Sequence, residues 1–305
     1  FDAVSTAAQE AKNPKRDMPI GILGSLAICT VLYILFAHVM TGVTSYTSFA
    51  GKDGIAPVAV AIDHMGTANA QGIIAPDYPW LNRAIIVAIL AGYSSVILVM
   101  LMGQSRVFYS MSKDGLIPKI FSAINIKTQT PAKSNLLFMV FVSLFAAFVP
   151  ARVVGEMTSI GTLFAFILVC IGIWVMRVKM PELPRAFKTP MVPLVPILGI
   201  VTCLFMMVFL PPDTWIRLLV WMLIGLDIYI GYGAKHSHLS DGSTDRPGMR
   251  IACITGLALC ALLVAAGLLH QYSVGFDTDR MLMYISFVFA AAHFLWFIFK
   301  LNKAK

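Results

Sequence analysis

A few polar side chains stand inside the long apolar runs of this sequence, and they are the first candidates for binding a charged group. Ser94 and Ser95 form a hydroxyl pair within "LAGYSSVILVMLMG". Paired hydroxyls inside a membrane can coordinate a cation or bond a substrate, or each can bond a backbone carbonyl one turn earlier. His38, Asp227 and His293 are isolated ionisable residues in apolar runs, where such groups are costly and mark functional paths by default. Asp227 stands late in its run, near an interface where that cost falls. Each histidine can stay neutral on one hydrogen bond, so packing is the expectation for all three. Asp2 is a lone acid among small apolar residues at the head of "FDAVSTAAQEAKNPKRDMP". Glu10 and Arg16 flank Pro14 in an E-x-x-N-P-x-R motif. They are a candidate gating pair, or a solvated pair at the membrane edge worth roughly 0–1 kcal/mol.

Other chemistry is not signalled. The five cysteines, Cys29, Cys170, Cys203, Cys253 and Cys260, all lie in apolar stretches and form no C-x-x-C pair, as packed small side chains do. The histidines are scattered, and the close pair His236 and His238 shares a polar loop with Ser and Asp. There is no nucleophile elbow, phosphate loop or metal-ligand cluster. An enzyme is not expected, nor a cofactor or a metal.

The elements that position these residues follow from composition. Apolar residues make up 58% of the 305 and charged residues 12%, against roughly 45–50% and 25% in soluble domains. The chain lacks the polar side chains to coat a water-facing surface, so its excess apolar surface faces lipid or other helices. Crossing the hydrocarbon core takes about 20 mostly apolar residues. Eight runs qualify, approximately at 20–44, 84–104, 135–150, 157–176, 192–210, 215–232, 251–269 and 281–299; the third is short and the sixth holds two charges. Backbone groups in lipid must be satisfied within the segment, so the runs predict helices and an all-α polytopic membrane protein. They lack the strict alternation of a barrel.

Eighteen of the 23 basic residues fall in alternate loops if the Lys12–Arg16 segment is cytoplasmic; only Lys52, Arg83, Arg152, Arg217 and Arg280 fall on the other side. The positive-inside rule then places that segment and the C-terminus in the cytoplasm. It also accounts for the net charge of +8 without nucleic acid, because the basic residues form no aromatic-interleaved patch. Trp80, Trp215 and Trp296 stand near span ends, as interfacial anchors do. No N-x-S/T acceptor occurs, in keeping with a bacterial plasma membrane.

Two loops carry signals of their own. "GIAPVAVAIDHMG" predicts a short external helix from Pro57 to Gly66, either a lid or an ordinary connection. In "SKDGLIP", Gly115 supplies a left-handed helix stop and Pro118 blocks continuation. Gly161, within "TSIGTLFAF", is set for close helix packing.

Three stretches together, "FDAVSTAAQEAKNPKRDMPIGI", "LAGYSSVILVMLMGQSRVFYSMSKDGLIP" and "TSIGTLFAF", resemble the cationic amino acid transporter family of the amino acid–polyamine–organocation superfamily. The resemblance covers essentially the whole chain. It implies a leucine-transporter-type fold of two inverted five-helix repeats with peripheral helices, in which helices one and six break at mid-membrane and unwound backbone holds the substrate. Phe1–Gln9 then resembles the inner half of helix six, and the eight runs become helices seven to fourteen. The implied domains are 1–19, the helix-six stub and a cytoplasmic loop; 20–178, helices seven to ten of the second repeat; and 179–305, peripheral helices eleven to fourteen. The chain is expected to be a fragment, with helices one to five, the helix-one glycine site and the helix-five lysine outside it.

By the same resemblance Phe1, Asp2 and Ala3 fall beside the helix-six break as substrate-site residues, with a role for Phe1 and Asp2 in the substrate side-chain pocket or in gating. Ser94 and Ser95 take the helix-eight position that serves ion or proton coupling. Many members read Gly-Met-Thr-Ser there, and this sequence reads Gly-Tyr-Ser-Ser at 92–95, so Tyr93 bears on substrate size and charge. The expected function is secondary amino acid transport, proton-coupled, by alternating access; the partners are an amino acid, a proton and the bilayer. A polytopic membrane enzyme would need His, Asp or Glu clustered at one interface. A non-transporting membrane sensor would share the spans without a reason for the broken helix.

Overall fold

Proline punctuates this chain at the points where apolar runs begin, and its helices start there. In the computed structural model, Pro131, Pro150, Pro193 and Pro211 each occupy the position just before a helix. Their fixed φ presets the first turn, and their missing N–H is one the helix start could not use. The structure describes residues 11–50, 58, 61–62, 64–68, 74–76, 79–125, 130–185, 187–237, 246–274 and 280–303.

Eight apolar helices fall on the eight predicted runs: α1 (Pro14–Val43), α2 (Pro79–Lys113), α3 (Ala132–Phe148), α4 (Ala151–Lys179), α5 (Leu194–Val208), α6 (Pro212–Ile228), α7 (Arg246–Val274) and α8 (Met281–Lys303). α6 continues through a π turn, Tyr229–Gly233, into a last turn, Ala234–His236. Six of these are long and apolar enough to cross a membrane, α6 being counted to His236. α3 and α5, with 17 and 15 residues, fall short of the roughly 20 a crossing takes. The protein is an all-α polytopic membrane protein.

Helix ends overrun the apolar runs because polar residues stay helical where they meet headgroups. α1 begins six residues before Ile20. Pro14 stands at its first position, Pro19 lies inside it, and the Asn13 N–H donates to Asp17 Oδ2 at 3.3 Å. The acid also sits in the first turn, where the helix dipole favours negative charge. Between α1 and α2, Val58, Ala61 and Ile62 are helical, His64 and Met65 turn out of the helix and Gly66 opens a strand; Pro57, Ala59, Val60 and Asp63 lie outside the described residues. Beyond it, Gly66–Ala68 (β1) and Ile74–Pro76 (β2) pair antiparallel, Gly66 opposite Pro76; no alternation in the sequence announced so short a ribbon.

The chain divides into two units, residues 1–107 and 108–305. The first holds α1, the ribbon and most of α2. α1 has no buried residue, and its Leu, Ile, Val and Phe side chains stand exposed from end to end. The second unit contains the packed cores. α6, α7 and α8 meet around Leu223, Leu263, Cys253 and Phe297, all fully buried. α4 and α5 meet the start of α6 around Ile160, Ile167 and Met207. Two glycines permit these approaches: a Cβ at Gly256 would lie 2.6 Å from the Phe297 ring, and one at Gly199 would lie 2.8 Å from Cys170 Sγ. Gly161 does not do this. No described atom lies within 4 Å of a Cβ built there, so the close packing expected of it is absent among the described residues.

The α7–α8 contact gives a stability prediction. Phe297→Ala is expected to cost about 3–5 kcal/mol through the lost ring and its cavity. Gly256→Ala, which adds a methyl where the ring already sits, should cost about 1–3 kcal/mol. Thermal unfolding of the full-length protein in detergent checks both.

Candidate functional site

The hydroxyl pair sits in the middle of α2, and each member bonds its own helix. Ser94 Oγ donates to the Leu90 carbonyl and Ser95 Oγ to the Gly92 carbonyl, both at 2.8 Å. Back-bonding uses up the hydroxyl protons and leaves the oxygen lone pairs outward. Two adjacent oxygens in that state are acceptors, suited to a cation or an ammonium group and unsuited to a carboxylate. Both residues, and Tyr93 beside them, are exposed on the helix surface.

The other residues singled out in the sequence are placed unevenly. Phe1, Asp2, Ala3 and Glu10 lie outside the described residues. Arg16 is exposed in the first turn of α1, its N–H bonded to the Asn13 carbonyl at 3.0 Å. Cys29, Cys170, Cys203, Cys253 and Cys260 are all free thiols. Among the described residues no three His, Cys, Asp or Glu side chains come together as metal ligands.

Two polar groupings went unread in the sequence. The first joins the starts of α4 and α6. Arg217 donates through Nη1 to Glu156 Oε2 at 2.9 Å and through Nη2 to Asp213 Oδ2. Arg152 Nε donates to Glu156 Oε1 at 2.9 Å, and Thr214 Oγ1 to Glu156 Oε2 at 3.3 Å. Two acids and two guanidinium groups cancel in charge, and both acids sit near helix N-termini, where the dipole favours them. The visible signal was the spacing of four in Arg152/Glu156 and Asp213/Arg217. Nothing in the sequence said that these two pairs, some 60 residues apart, share Glu156.

The second grouping joins α6 to α8. His293 Nδ1 lies 2.8 Å from the Phe289 carbonyl, and Nε2 lies 2.8 Å from Asp227 Oδ2. A carbonyl only accepts, so Nδ1 carries a hydrogen and donates it. The short contact between Nε2 and the carboxylate then needs one further proton between them. The contact pairs a half-buried acid with a half-buried imidazole, so that neither stands without a partner in an apolar bundle. Packing rather than a binding role was expected here, and this geometry fits a joint between helices.

A cavity of about 400 Å³ opens between α5, α6 and α7, lined by residues such as Val208, Trp215, Leu219, Leu262 and Leu269. Its walls are apolar, so it offers no partner for an amino or carboxylate group.

The family model described as amino acid permease matches residues 1–228. A branched-chain amino acid permease of Bacillus subtilis is 42% identical over 240 residues, which cover 79% of this chain and 49% of that one. A methylthioribose transporter of the same organism is 36% identical over 240 residues, with the same coverage. The vacuolar cationic amino acid transporter 4 of Arabidopsis thaliana is 36% identical over 182 residues, 60% of this chain and 28% of that one. The chain spans about half the length of the Bacillus subtilis relatives it matches. No solved structure matches. The chain belongs to the amino acid permease family, and these relatives are carriers rather than enzymes.

The ion network is open to a direct test. Arg217→Met strips both acids of their shared donor and is expected to destabilise the full-length protein by about 1.5–3 kcal/mol, the range for hydrogen bonds to charged groups. Arg152, whose side chain is 76% exposed, should cost only about 0–1 kcal/mol on replacement by Met. Melting curves of the two variants side by side check the order.

Proposed function

We propose that this chain is part of a secondary active amino acid transporter, a proton symporter that works by alternating access in a bacterial plasma membrane. The observation that carries the reading is the family match over residues 1–228. The Ser94 and Ser95 oxygens, turned acceptor by back-bonding, support a role on the cationic side: coupling a proton or its carrier group, or receiving the substrate ammonium. Phe1, Asp2 and Ala3 are proposed to line the substrate site, and Glu10 with Arg16 to gate its inner side. On this reading residues 1–19 form the inner half of a broken helix and its loop, 20–178 the second repeat, and 179–305 the peripheral helices. The Lys12–Arg16 segment and the C-terminus face the cytoplasm, with 18 of the 23 basic residues on that side when α3 and α5 cross along with the six long helices.

The substrate class to try first is a branched aliphatic amino acid, because a relative at 42% identity is named for that cargo. Alternating access around a midplane site needs both repeats, so the test uses the full-length protein. Reconstituted in proteoliposomes with an inward proton gradient, it is expected to accumulate labelled leucine, isoleucine or valine ahead of arginine, lysine or methylthioribose. A folded protein that takes up no amino acid in the panel would overturn the reading.

Two sets of variants test the residues. Asp2→Asn should alter the KM for, or the preference among, amino acids without loss of folded protein; unchanged kinetics for every substrate would return Asp2 to packing. Ser94→Ala with Ser95→Ala removes only bonds to the same helix, so stability should move by no more than about 0.5 kcal/mol, as for exposed sites. Uptake and its pH profile should nevertheless change.

A further inference from the structure

The helix that carries Ser94 and Ser95 ends in a turn whose main chain interlocks with the π turn of α6. Gly115, at φ 79°, follows Lys113 and Asp114 in a Schellman stop: its N–H bonds the Ser112 carbonyl at 3.2 Å, and the Leu116 N–H bonds the Met111 carbonyl at 2.9 Å. A helix stop explains the positive φ. It does not explain what lies against the glycine. A Cβ on Gly115 would stand 2.0 Å from the His236 carbonyl oxygen, 2.9 Å from its carbon and 3.2 Å from Ser237 Cα. All three are backbone atoms, so no rotamer change can make room. The contact is reciprocated: a Cβ on Gly233 would stand 3.1 Å from the Leu116 carbonyl oxygen and 3.6 Å from Leu116 Cα. Each glycine leaves the space that the other strand's backbone fills.

The surroundings are built around this fit. The π turn inserts one residue into α6, and a single inserted residue rotates everything after it by about 100°. That rotation accompanies a buried Gly233 and Ala234 on the packed side. Directly upstream, Asp227 is held by His293 of α8. Behind the Gly115 turn, Ser112 Oγ donates to the Pro118 carbonyl at 2.9 Å, and the rings of Phe108, Phe121 and Phe138 cluster with centroids 4.6–6.0 Å apart.

We propose that Gly115 and Gly233 are positioning residues for transport, forming a side-chain-free clasp that fixes the last turn of α2, from Phe108 on, to the π turn at the end of α6. This rests on the transport reading above. The clasp gives α8 a function without substrate contact: through the Asp227–His293 joint it holds the π turn to which the last turn of α2 is fastened.

The test is a glycine series in the full-length protein: Gly115→Ala, Gly115→Asn, Gly233→Ala and, as control, Gly231→Ala, whose Cβ would meet nothing within 4 Å. Asn tolerates positive φ better than Ala but still carries a Cβ, so it separates the helix stop from the clasp. Gly231→Ala should turn over like wild type. Both Gly115 variants are expected to slow uptake per folded molecule about tenfold or more, the scale of a small misplacement, with KM within twofold of wild type. Gly233→Ala should fall between. Recovery of turnover in Gly115→Asn, wild-type turnover in Gly115→Ala, or a loss that only follows the folded fraction would overturn the clasp. A second readout does not depend on transport: nitroxide labels at Asp114→Cys and Lys235→Cys, in a background lacking native cysteines. One narrow distance is expected in wild type and Gly231→Ala, and a broadened one in both Gly115 variants. Identical distributions throughout would overturn the clasp, whereas failure of uptake in the wild type alone would count against the transport reading.

Discussion

A polar group inside a bilayer has no water to turn to, and the polar side chains of these helices are arranged around that constraint. Hydroxyls fold back onto their own helices. Thr30 donates to the Leu26 carbonyl, Thr41 to Ala37, Thr158 to Val154, Thr162 to Thr158 and Thr255 to Ile251, all within 2.9 Å. Charges gather where they can neutralise one another, as Arg217 does with Glu156 and Asp213. Asp227 Oδ2 and His293 Nε2 meet at 2.8 Å between α6 and α8. In this setting the back-bonded Ser94 and Ser95 are ordinary in geometry. Adjacency sets them apart from the lone hydroxyls of α1 and α7, since two oxygens in successive positions, each with its proton committed, make a local acceptor surface; α4 carries a second such pair, Thr158 and Ser159, bonded to the Val154 and Gly155 carbonyls at 2.8 and 3.0 Å.

The same constraint separates two kinds of helix. α6, α7 and α8 bury large side chains against one another, with Leu223, Leu263 and Phe297 fully enclosed. α1 buries none. Apolar surface against lipid is no loss, so exposure alone does not mark a defect in α1. Burial on the other side does mark commitment: helices that interdigitate rings and methyl groups, with Gly256 opened to admit Phe297, form a unit that resists sliding. The network at the starts of α4 and α6 ties a further helix to that unit. The Trp215 indole does the same for α5, donating to the Met207 carbonyl at 3.2 Å.

Helix number and placement were legible in the sequence because length and hydropathy report directly on the cost of backbone in lipid. The stop at Gly115 was legible because one residue type dominates left-handed positions. Helix starts were less so: α1 begins at Pro14, and polar residues before the apolar run join it because a first-turn Asp17 and a leading proline suit a helix start. Contacts between helices were not legible. Arg152/Glu156 and Asp213/Arg217 each look like local pairs, and only packing makes Glu156 common to both. Gly161 and Gly256 stand alike among apolar residues, yet only Gly256 meets a ring. A glycine's local sequence does not say what approaches it, because the approaching group lies far along the chain.

This is why the Gly115 turn carries more than its local sequence implies. Side-chain contacts tolerate small shifts, since rotamers adjust at modest cost. A contact of backbone on backbone has no such freedom. Between Gly115 and His236, and between Gly233 and Leu116, any displacement must move a whole turn of chain. α2 therefore has two ends of opposite character for its length. Its middle offers Ser94 and Ser95 oxygens able to follow a small cation by rotation of one bond. Its last turn runs into main-chain atoms, and through the π turn and Asp227 it reaches the imidazole on α8. On the transport reading, one helix thus combines a compliant middle with a fixed last turn.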